Sequence, residues 1–155
     1  MRHPLHDYAG GGGYFVTYST YQNHNLLGSI NTASMHLSDL GQIVVQAWET
    51  IPARFPGVVT DSIQVMPNHV HCILFICSID SDGIRVKEVA DLRRIIHWFK
   101  GWSSRQINLT RGKTGVQVWQ HGYHDRIIRN EGELDKFRGY VENNPIRKAI
   151  ERSGR

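Results

Sequence analysis

The fold and the chemistry of this chain both centre on one stretch, Asn68-His69-Val70-His71-Cys72-Ile73-Leu74-Phe75-Ile76. From position 69 onward it is apolar except for the two histidines, as expected of a buried strand. Because successive side chains of a strand point to opposite faces, His69 and His71 should project from the same face. Two imidazoles on an apolar strand are costly to bury unless they are hydrogen-bonded or hold a metal ion. The pair therefore predicts either a metal site or one histidine bonded to the backbone beside one that faces solvent.

The elements around this strand alternate between helices and strands. A 3.6-residue period marks two helices, and a capping pattern at Asn130 and Glu133 begins a third, which Pro145 is expected to limit. The predicted order is a strand at Tyr14–Thr20, a hairpin-like stretch, a helix after Ser38 that ends near Pro52 and Pro56, strands at Val58–Val65 and His69–Ile76, a helix at Lys87–Asn108, a mostly extended segment at Val116–Ile128, and the last helix. This order predicts an α+β fold of the ferredoxin-like sandwich type, a central antiparallel sheet with helices packed on it.

Length and composition limit the class of protein. The 155 residues are 40% hydrophobic and 21% charged, which suits one folded domain with a core. We expect a single domain over residues 1–155, with a glycine-rich N-terminal arm at 1–13 and a basic C-terminal tail at 146–155. The net charge of +4 permits a nucleic-acid partner without requiring one.

Membrane proteins and disulfide scaffolds are the classes that the sequence excludes. No apolar run approaches the roughly 20 residues of a membrane span, and the first residues lack the apolar core of a secretory signal. Cys72 and Cys77 lie five residues apart in one apolar segment, so on a strand they point to opposite faces and cannot easily pair. Reduced thiols fit a cytoplasmic protein, and this is the location we expect.

A second feature lies in the last helix, where Tyr140 and Asn144 are four residues apart. This spacing puts both side chains on one face of a helix. They flank the apolar stripe of that helix, so they belong at the rim of the core. By itself the spacing favours an ordinary boundary tyrosine followed by an asparagine cap.

Taken together, the two features occur in a pattern that covers most of the chain. The pattern consists of four stretches, Gly13-Tyr14-Phe15-Val16-Thr17, Met66-Pro67-Asn68-His69-Val70-His71, Trp119-Gln120-His121-Gly122-Tyr123-His124-Asp125-Arg126-Ile127-Ile128-Arg129 and Tyr140-Val141-Glu142-Asn143-Asn144-Pro145. In this order they resemble the single-tyrosine HUH transposases, and within them the REP-associated tyrosine transposases. The resemblance implies a ferredoxin-like sandwich with the histidine pair on a central strand, in agreement with the predicted element order.

The resemblance also implies roles for individual residues. His69 and His71 would be ligands of a Mg²⁺ or Mn²⁺ ion, and Tyr140 would be the nucleophile that forms a 5′-phosphotyrosine. Asn144 falls where the family places its third metal ligand, with Asn143 as the competing candidate. The implied substrate is single-stranded DNA beside a hairpin. REP-associated relatives act as monomers, so the resemblance favours a monomer and leaves a dimer open.

Several basic residues are candidates for phosphate contacts, because backbone charge supplies much of the affinity in such complexes. They are Arg93, Arg94, Lys100 and Arg105 on the second long helix, Lys136 one turn before Tyr140, and Arg147 and Lys148 in the basic tail. The alternative for scattered charges is a solvated face. His121 and His124 fit surface histidines better than site residues.

Three functions are consistent with these residues. The first is an enzyme that cleaves and rejoins single-stranded DNA through Tyr140. The second is a catalytically silent relative that binds hairpin DNA or RNA, and the presence of both histidines, Tyr140 and Asn144 argues against it. The third is a small zinc-binding regulatory domain, which leaves the spacing of Tyr140 and Asn144 unexplained. The sequence favours the enzyme.

Overall fold

Four antiparallel strands form the main sheet of the molecule, in the order β4-β5-β1-β6. The computed structural model describes residues 12–153, with side chains up to residue 143. The elements are β1 (Gly12–Ser19), β2 (Gly28–Asn31), β3 (Ser34–Leu37), α1 (Asp39–Arg54), β4 (Val58–Val65), β5 (His69–Ile76), α2 (Leu92–Thr110), β6 (His124–Ile128) and α3 (Glu131–Ser153), with a short 3₁₀ turn at Tyr21–Asn23. The predicted α+β architecture, an antiparallel sheet with helices packed on it, is confirmed.

The two faces of the sheet carry separate cores. On one face, Val16 of β1 and Val70, Cys72 and Leu74 of β5 pack with the buried stripes of α1 and α2. On the other face, Phe15, Ile73 and Phe75 pack with Leu134 and Val141 of α3. The two central strands are therefore apolar on both sides, which explains the near-continuous hydrophobic run of β5. His71 projects from the face that α3 covers, two residues from Ile73.

Several element boundaries differ from those that the sequence predicts. β1 begins at Gly12, so the last two residues of the expected arm belong to a strand, and residues 1–11 of that arm lie outside the described residues. Gly13 is required there because a Cβ atom would approach a ring carbon of Phe75 to 2.6 Å. Of the segment expected to be extended up to residue 128, only β6 is a strand, joined by an isolated bridge between Thr20 and Trp119.

The helices differ from expectation at their ends. α2 begins at Leu92 rather than at Lys87, because the Asp91 carboxylate caps it by accepting a hydrogen bond from the Arg94 backbone N–H at 2.8 Å. α3 does not end at Pro145 but continues to Ser153. A proline removes one N–H donor and crowds the preceding turn, yet its fixed φ of about −65° is helical. The predicted cap at the start of α3 is confirmed, since Asn130 Oδ1 accepts from the Glu133 N–H at 2.9 Å.

The two cysteines are free and buried, as the sequence predicts. Cys72 lies in the core under α1 and α2, whereas Cys77 lies in the core under α3. Burial raises the pKa of both thiols, so neither is poised for reaction at neutral pH. Over residues 12–153, none of the helices combines the length and the apolar character that a membrane crossing requires.

The turn between β2 and β3 is strained. Thr32 and Ala33 join the two strands with φ values of 52° and 58°, and both are residues that disfavour the left-handed region. Two positive φ values match a type I′ hairpin turn, in which Asn-Gly is the preferred pair.

The double variant Thr32→Asn/Ala33→Gly should therefore be more stable than the wild type, by about 1 kcal/mol in the free energy of unfolding. Urea denaturation measures this as a higher midpoint at an unchanged slope. The matched control is Gly83→Asn. Position 83 also has a positive φ, 78°, and glycine is already the residue that this φ favours, so the control variant should be less stable than the wild type. A lower midpoint for the hairpin variant would contradict the strain.

Candidate active site

Four polar side chains form one row across the sheet, on the face that α3 covers. Strand register places Gln64 opposite His71, His71 opposite Thr17, and Thr17 opposite His124. Directly opposed residues of antiparallel strands share a face, so the row crosses all four strands. This row crosses a face that Phe15, Ile73 and Phe75 make largely apolar, and it marks the place where this surface can do chemistry.

The two histidines of β5 are held in different ways. His71 is buried, and its Nδ1 lies 3.0 Å from Thr17 Oγ1. His69 is half-buried, and its Nδ1 lies 2.7 Å from Asn68 Oδ1. Their ring centroids are 4.6 Å apart with an interplanar angle of 86°, which confirms that both imidazoles project from the same face.

This arrangement suits two metal ligands. An imidazole whose Nδ1–H donates a hydrogen bond carries its lone pair on Nε2, where it can bind a cation. The Asn68 and Thr17 oxygens are in place to accept such bonds. Among the residues with described side chains, no three of the types His, Cys, Asp or Glu come together as metal ligands. A metal ion at the histidine pair would therefore need its other ligands from an amide, water or a phosphate, which are oxygen donors that Mg²⁺ and Mn²⁺ accept.

Tyr140 approaches the same histidine from α3. Its ring centroid lies 5.2 Å from that of His71 and 5.8 Å from that of Phe15, edge-on to both. Phe137, one turn earlier, stacks on Phe15 at 4.8 Å and holds the helix against the sheet. The tyrosine side chain remains 37% exposed. The histidine pair and the tyrosine thus meet within a single chain.

A cleft of about 480 Å³ opens beside Tyr140 and His71. Its apolar floor is formed by Phe15 and Phe137, and its polar rim is formed by Thr17, His124, Arg126 and Lys136. Arg126 and Lys136 are exposed and bring two positive charges to the rim. An aromatic floor with a cationic rim is suited to an unpaired nucleotide, since bases stack on rings and phosphates attract cations.

The structure brings some of the predicted residues together and leaves others apart. His71, Lys136 and Tyr140 line the cleft, and His69 contacts His71. The side chains of Asn144, Arg147 and Lys148 lie outside the described residues. Exposed Arg93, Arg94 and Arg105 lie on α2, which packs on the other face of the sheet.

Lys100 has a structural environment. Its ammonium group donates to the backbone oxygen of Gln120 at 2.9 Å and to that of Gly122, and it lies 5.9 Å from the centre of the Tyr18 ring. Partial burial lowers its pKa. These contacts tie α2 to the segment that precedes β6, which favours a structural role over the predicted phosphate contact.

Arg126 and His124 are the cleft residues that sequence reasoning undervalued. Both lie on β6, and because they are two residues apart their side chains point to the same face. Their partners on β1, Thr17 and Phe15, point to that face as well. The alternation His124-Asp125-Arg126 is visible in the sequence. Only the fold shows that β6 pairs with β1, which places His124 and Arg126 in the same cleft as Tyr140.

A model of the IS200-like transposases matches residues 56–144, more than half of the chain. The chain belongs to the IS200-like transposase family. The matched segment includes both histidines and Tyr140, and the transposase family that the sequence implied is thereby confirmed. An uncharacterised protein of Haemophilus influenzae is 35% identical over 153 residues, which cover 91% of this chain and 84% of that protein.

Two solved structures share the fold. One is a REP-associated tyrosine transposase bound to a REP hairpin, with a TM-score of 0.64 and 19% identity over 96% of this chain and 72% of that chain. The other is a protein of Deinococcus radiodurans R1 assigned as a transposase, with a TM-score of 0.54 and 18% identity over 84% of this chain and 88% of that chain. At this level of identity the likenesses establish the architecture.

Replacement of Thr17 by valine keeps the shape of the side chain and removes the hydroxyl that meets His71 Nδ1. We expect the Thr17→Val variant to lose about 1 kcal/mol of unfolding free energy, because a hydrogen bond to a buried imidazole is lost. Thermal unfolding followed by circular dichroism measures the change. Thr17→Ser retains the hydroxyl and is the control, and a valine variant as stable as the serine variant would contradict the assigned bond.

Proposed function

We propose that this transposase-family protein cleaves and rejoins single-stranded DNA beside a hairpin, with Tyr140 as the nucleophile and a divalent metal ion at His69 and His71. The observation that carries the proposal is the contact of the Tyr140 ring with His71 inside a cleft that has a cationic rim. The REP hairpin bound by the structural relative supports hairpin DNA as the partner.

The reaction is an exchange of one phosphorus–oxygen bond for another. The Tyr140 oxygen attacks the scissile phosphorus as its proton leaves, and the bond from phosphorus to the 3′ oxygen breaks. The products are a 5′-phosphate joined to Tyr140 and a 3′ oxygen that takes up a proton. The phosphotyrosine ester keeps the free energy of the phosphodiester bond that was broken. A later 3′-hydroxyl can therefore attack the phosphotyrosine and rejoin strands without an external energy source.

A tyrosine hydroxyl is a weak nucleophile at neutral pH, because a phenol ionises near pH 10. A divalent ion at the histidine pair would supply positive charge to the attacking oxygen and to the phosphate oxygens. His69 and His71 would hold it through Nε2, with Asn144 as the proposed third ligand and Asn143, which is exposed, as the alternative. Imidazole ligands suit Mn²⁺ better than Mg²⁺, and the oxygen ligands suit both.

The remaining residues of the cleft bind and orient DNA. Lys136 and Arg126 face the place where a phosphate would meet Tyr140, and Phe15 and Phe137 offer a surface for a base. Arg93, Arg94 and Arg105, together with Arg147 and Lys148 beyond the described side chains, are proposed to contact flanking phosphates. Tyr140 contacts His71 of its own chain, which supports action as a monomer.

The Tyr140→Phe variant should form no covalent complex with DNA while binding hairpins with nearly unchanged affinity, because only the hydroxyl is removed. The measurement is a denaturing gel of protein incubated with a pool of labelled single-stranded hairpin oligonucleotides and Mn²⁺ or Mg²⁺. A covalent band that persists in the variant would exclude Tyr140 as the nucleophile. Hairpin binding by the wild type without any covalent band would favour the catalytically silent binding module.

The His69→Ala variant should lose both the covalent complex and the metal that supports it. Titration with Mn²⁺, followed by the loss of the free-ion EPR signal, should give an affinity weaker than that of the wild type by at least the roughly 10- to 100-fold that the loss of an outer-shell partner costs. His36→Ala is the control, since His36 is an exposed histidine of β3. Undiminished cleavage by the wild type in the presence of a chelator would contradict the metal.

The Arg126→Gln variant should form the covalent complex more slowly and with a weaker dependence on salt, because one phosphate contact is lost. Arg85→Gln removes the same charge from an exposed position outside the cleft and is the matched control. Single-turnover rates at several salt concentrations make the comparison. Equal slopes for the two variants would show that Arg126 does not contact phosphate.

A further inference from the structure

Strand β4 contains one residue too many opposite β5. Thr60 pairs with Leu74 and Ser62 pairs with Ile73, so Asp61 is the extra residue of a β-bulge. A bulge places two residues opposite one and re-aims their side chains. Ile73 lies on the face that α3 covers, and the bulge turns the Asp61 carboxylate toward that face.

The partner of Asp61 is an arginine in an apolar position of α3. Leu134, Phe137 and Val141 form the stripe that packs on the sheet, and Arg138 falls within the same stripe by helical spacing. Its side chain is only 8% exposed, and that of Asp61 is fully buried. A core-facing arginine is rare unless it is paired.

The two side chains meet through a forked contact. Arg138 Nε donates to Asp61 Oδ2 at 2.9 Å, and Nη2 donates to Oδ1 at 2.5 Å. Two parallel bonds between a planar guanidinium and a planar carboxylate constrain direction as well as distance. The contact joins residues 77 positions apart in the chain, so it defines where α3 lies on the sheet.

Stability alone does not account for such a pair. Apolar side chains of similar volume usually stabilise a core as well as a buried ion pair does, because the charges must be desolvated. What apolar side chains lack is direction: a helix held only by an apolar stripe can rotate or slide by fractions of a turn. Arg138 precedes Tyr140 by two residues, about 3 Å along the axis of α3. The fork therefore fixes α3 to β4 less than one helical turn from the point where Tyr140 meets His71.

We propose that Asp61 and Arg138 are positioning residues that fix α3 in the one rotation and height at which Tyr140 meets His71. The inference rests on the proposed function in one respect, that Tyr140 is the nucleophile. Residues of a helix are separated by about 100° and 1.5 Å, so even a partial slip would carry the tyrosine hydroxyl away from the histidine pair.

The test removes both charges at once. Asp61→Leu/Arg138→Met substitutes apolar side chains of similar size for both members of the fork, whereas either single variant would remove one charge and keep the other buried, which is strongly destabilising. The control is Leu134→Ala, which weakens the packing of α3 in the same stripe and leaves the fork in place. Thermal unfolding measures the stability of the wild type, the double variant and the Leu134→Ala control.

The position of Tyr140 is read independently of DNA. All six tyrosines are replaced by 3-fluorotyrosine, and the ¹⁹F resonance of Tyr140 is assigned by its absence in Tyr140→Phe. In the wild type this resonance should be shifted by the neighbouring His71 and Phe15 rings. The rate of covalent complex formation with the hairpin oligonucleotide pool, at saturating DNA, gives the second reading.

The proposal expects a double variant that unfolds at or above the wild-type temperature, with a Tyr140 resonance displaced toward that of free fluorotyrosine. Its rate of complex formation should fall by about 10- to 100-fold with DNA affinity unchanged, since small misplacements of a reacting group have effects of this size. Leu134→Ala should lower the unfolding temperature and leave the resonance in place.

Three results would overturn the proposal. They are an unchanged Tyr140 resonance in the folded double variant, an equal displacement in Leu134→Ala, and failure of the double variant to fold, which would make the pair a requirement of folding instead. If the wild type forms no covalent complex with any oligonucleotide, the proposed function fails, while the ¹⁹F resonance still decides whether the pair positions Tyr140.

Discussion

The antiparallel pairing of β1 with β5 is the constraint on which the rest of the structure depends. Both strands lie in the middle of the sheet and are apolar on both faces, so each is covered by helices on either side. On the α3 face this pairing sets Thr17 opposite His71, and the threonine hydroxyl meets the imidazole that would otherwise be costly to bury. The register that builds the core also orients the metal-ligand candidate.

The two faces of the sheet have different roles, since one holds most of the core and the other holds the cleft. α1 and α2 cover one face and provide most of the core, whereas α3 is the one helix of residues 12–153 that packs on the other face. With one helix over four strands, part of that face stays open near β6 and becomes the cleft. Tyr140 is partly exposed because its side chain lines this cleft.

Much of the architecture is readable from local patterns. The element order, the caps at Ser38 and Asn130, and the shared face of His69 and His71 depend on periodicity and on side chains within a few residues. The ends of the helices are less readable, because Asp91 competes with an earlier start and Pro145 does not end α3. A proline lowers the stability of a helix, and the rest of the chain decides whether the helix continues.

The sequence by itself determined which chemistry is available, since two histidines two residues apart on an apolar strand and a tyrosine at the rim of a helix stripe are local facts. It also determined the family, through motifs spread over most of the chain. Only the tertiary structure decided which of these groups meet. Three contacts depend on segments that are distant in the chain. They are the position of Arg126 in the cleft, the hydrogen bonds of Lys100 to two backbone oxygens, and the fork between Asp61 and Arg138. Their geometry depends on strand register and on one bulge, and a shift of a single residue would turn every side chain to the other face.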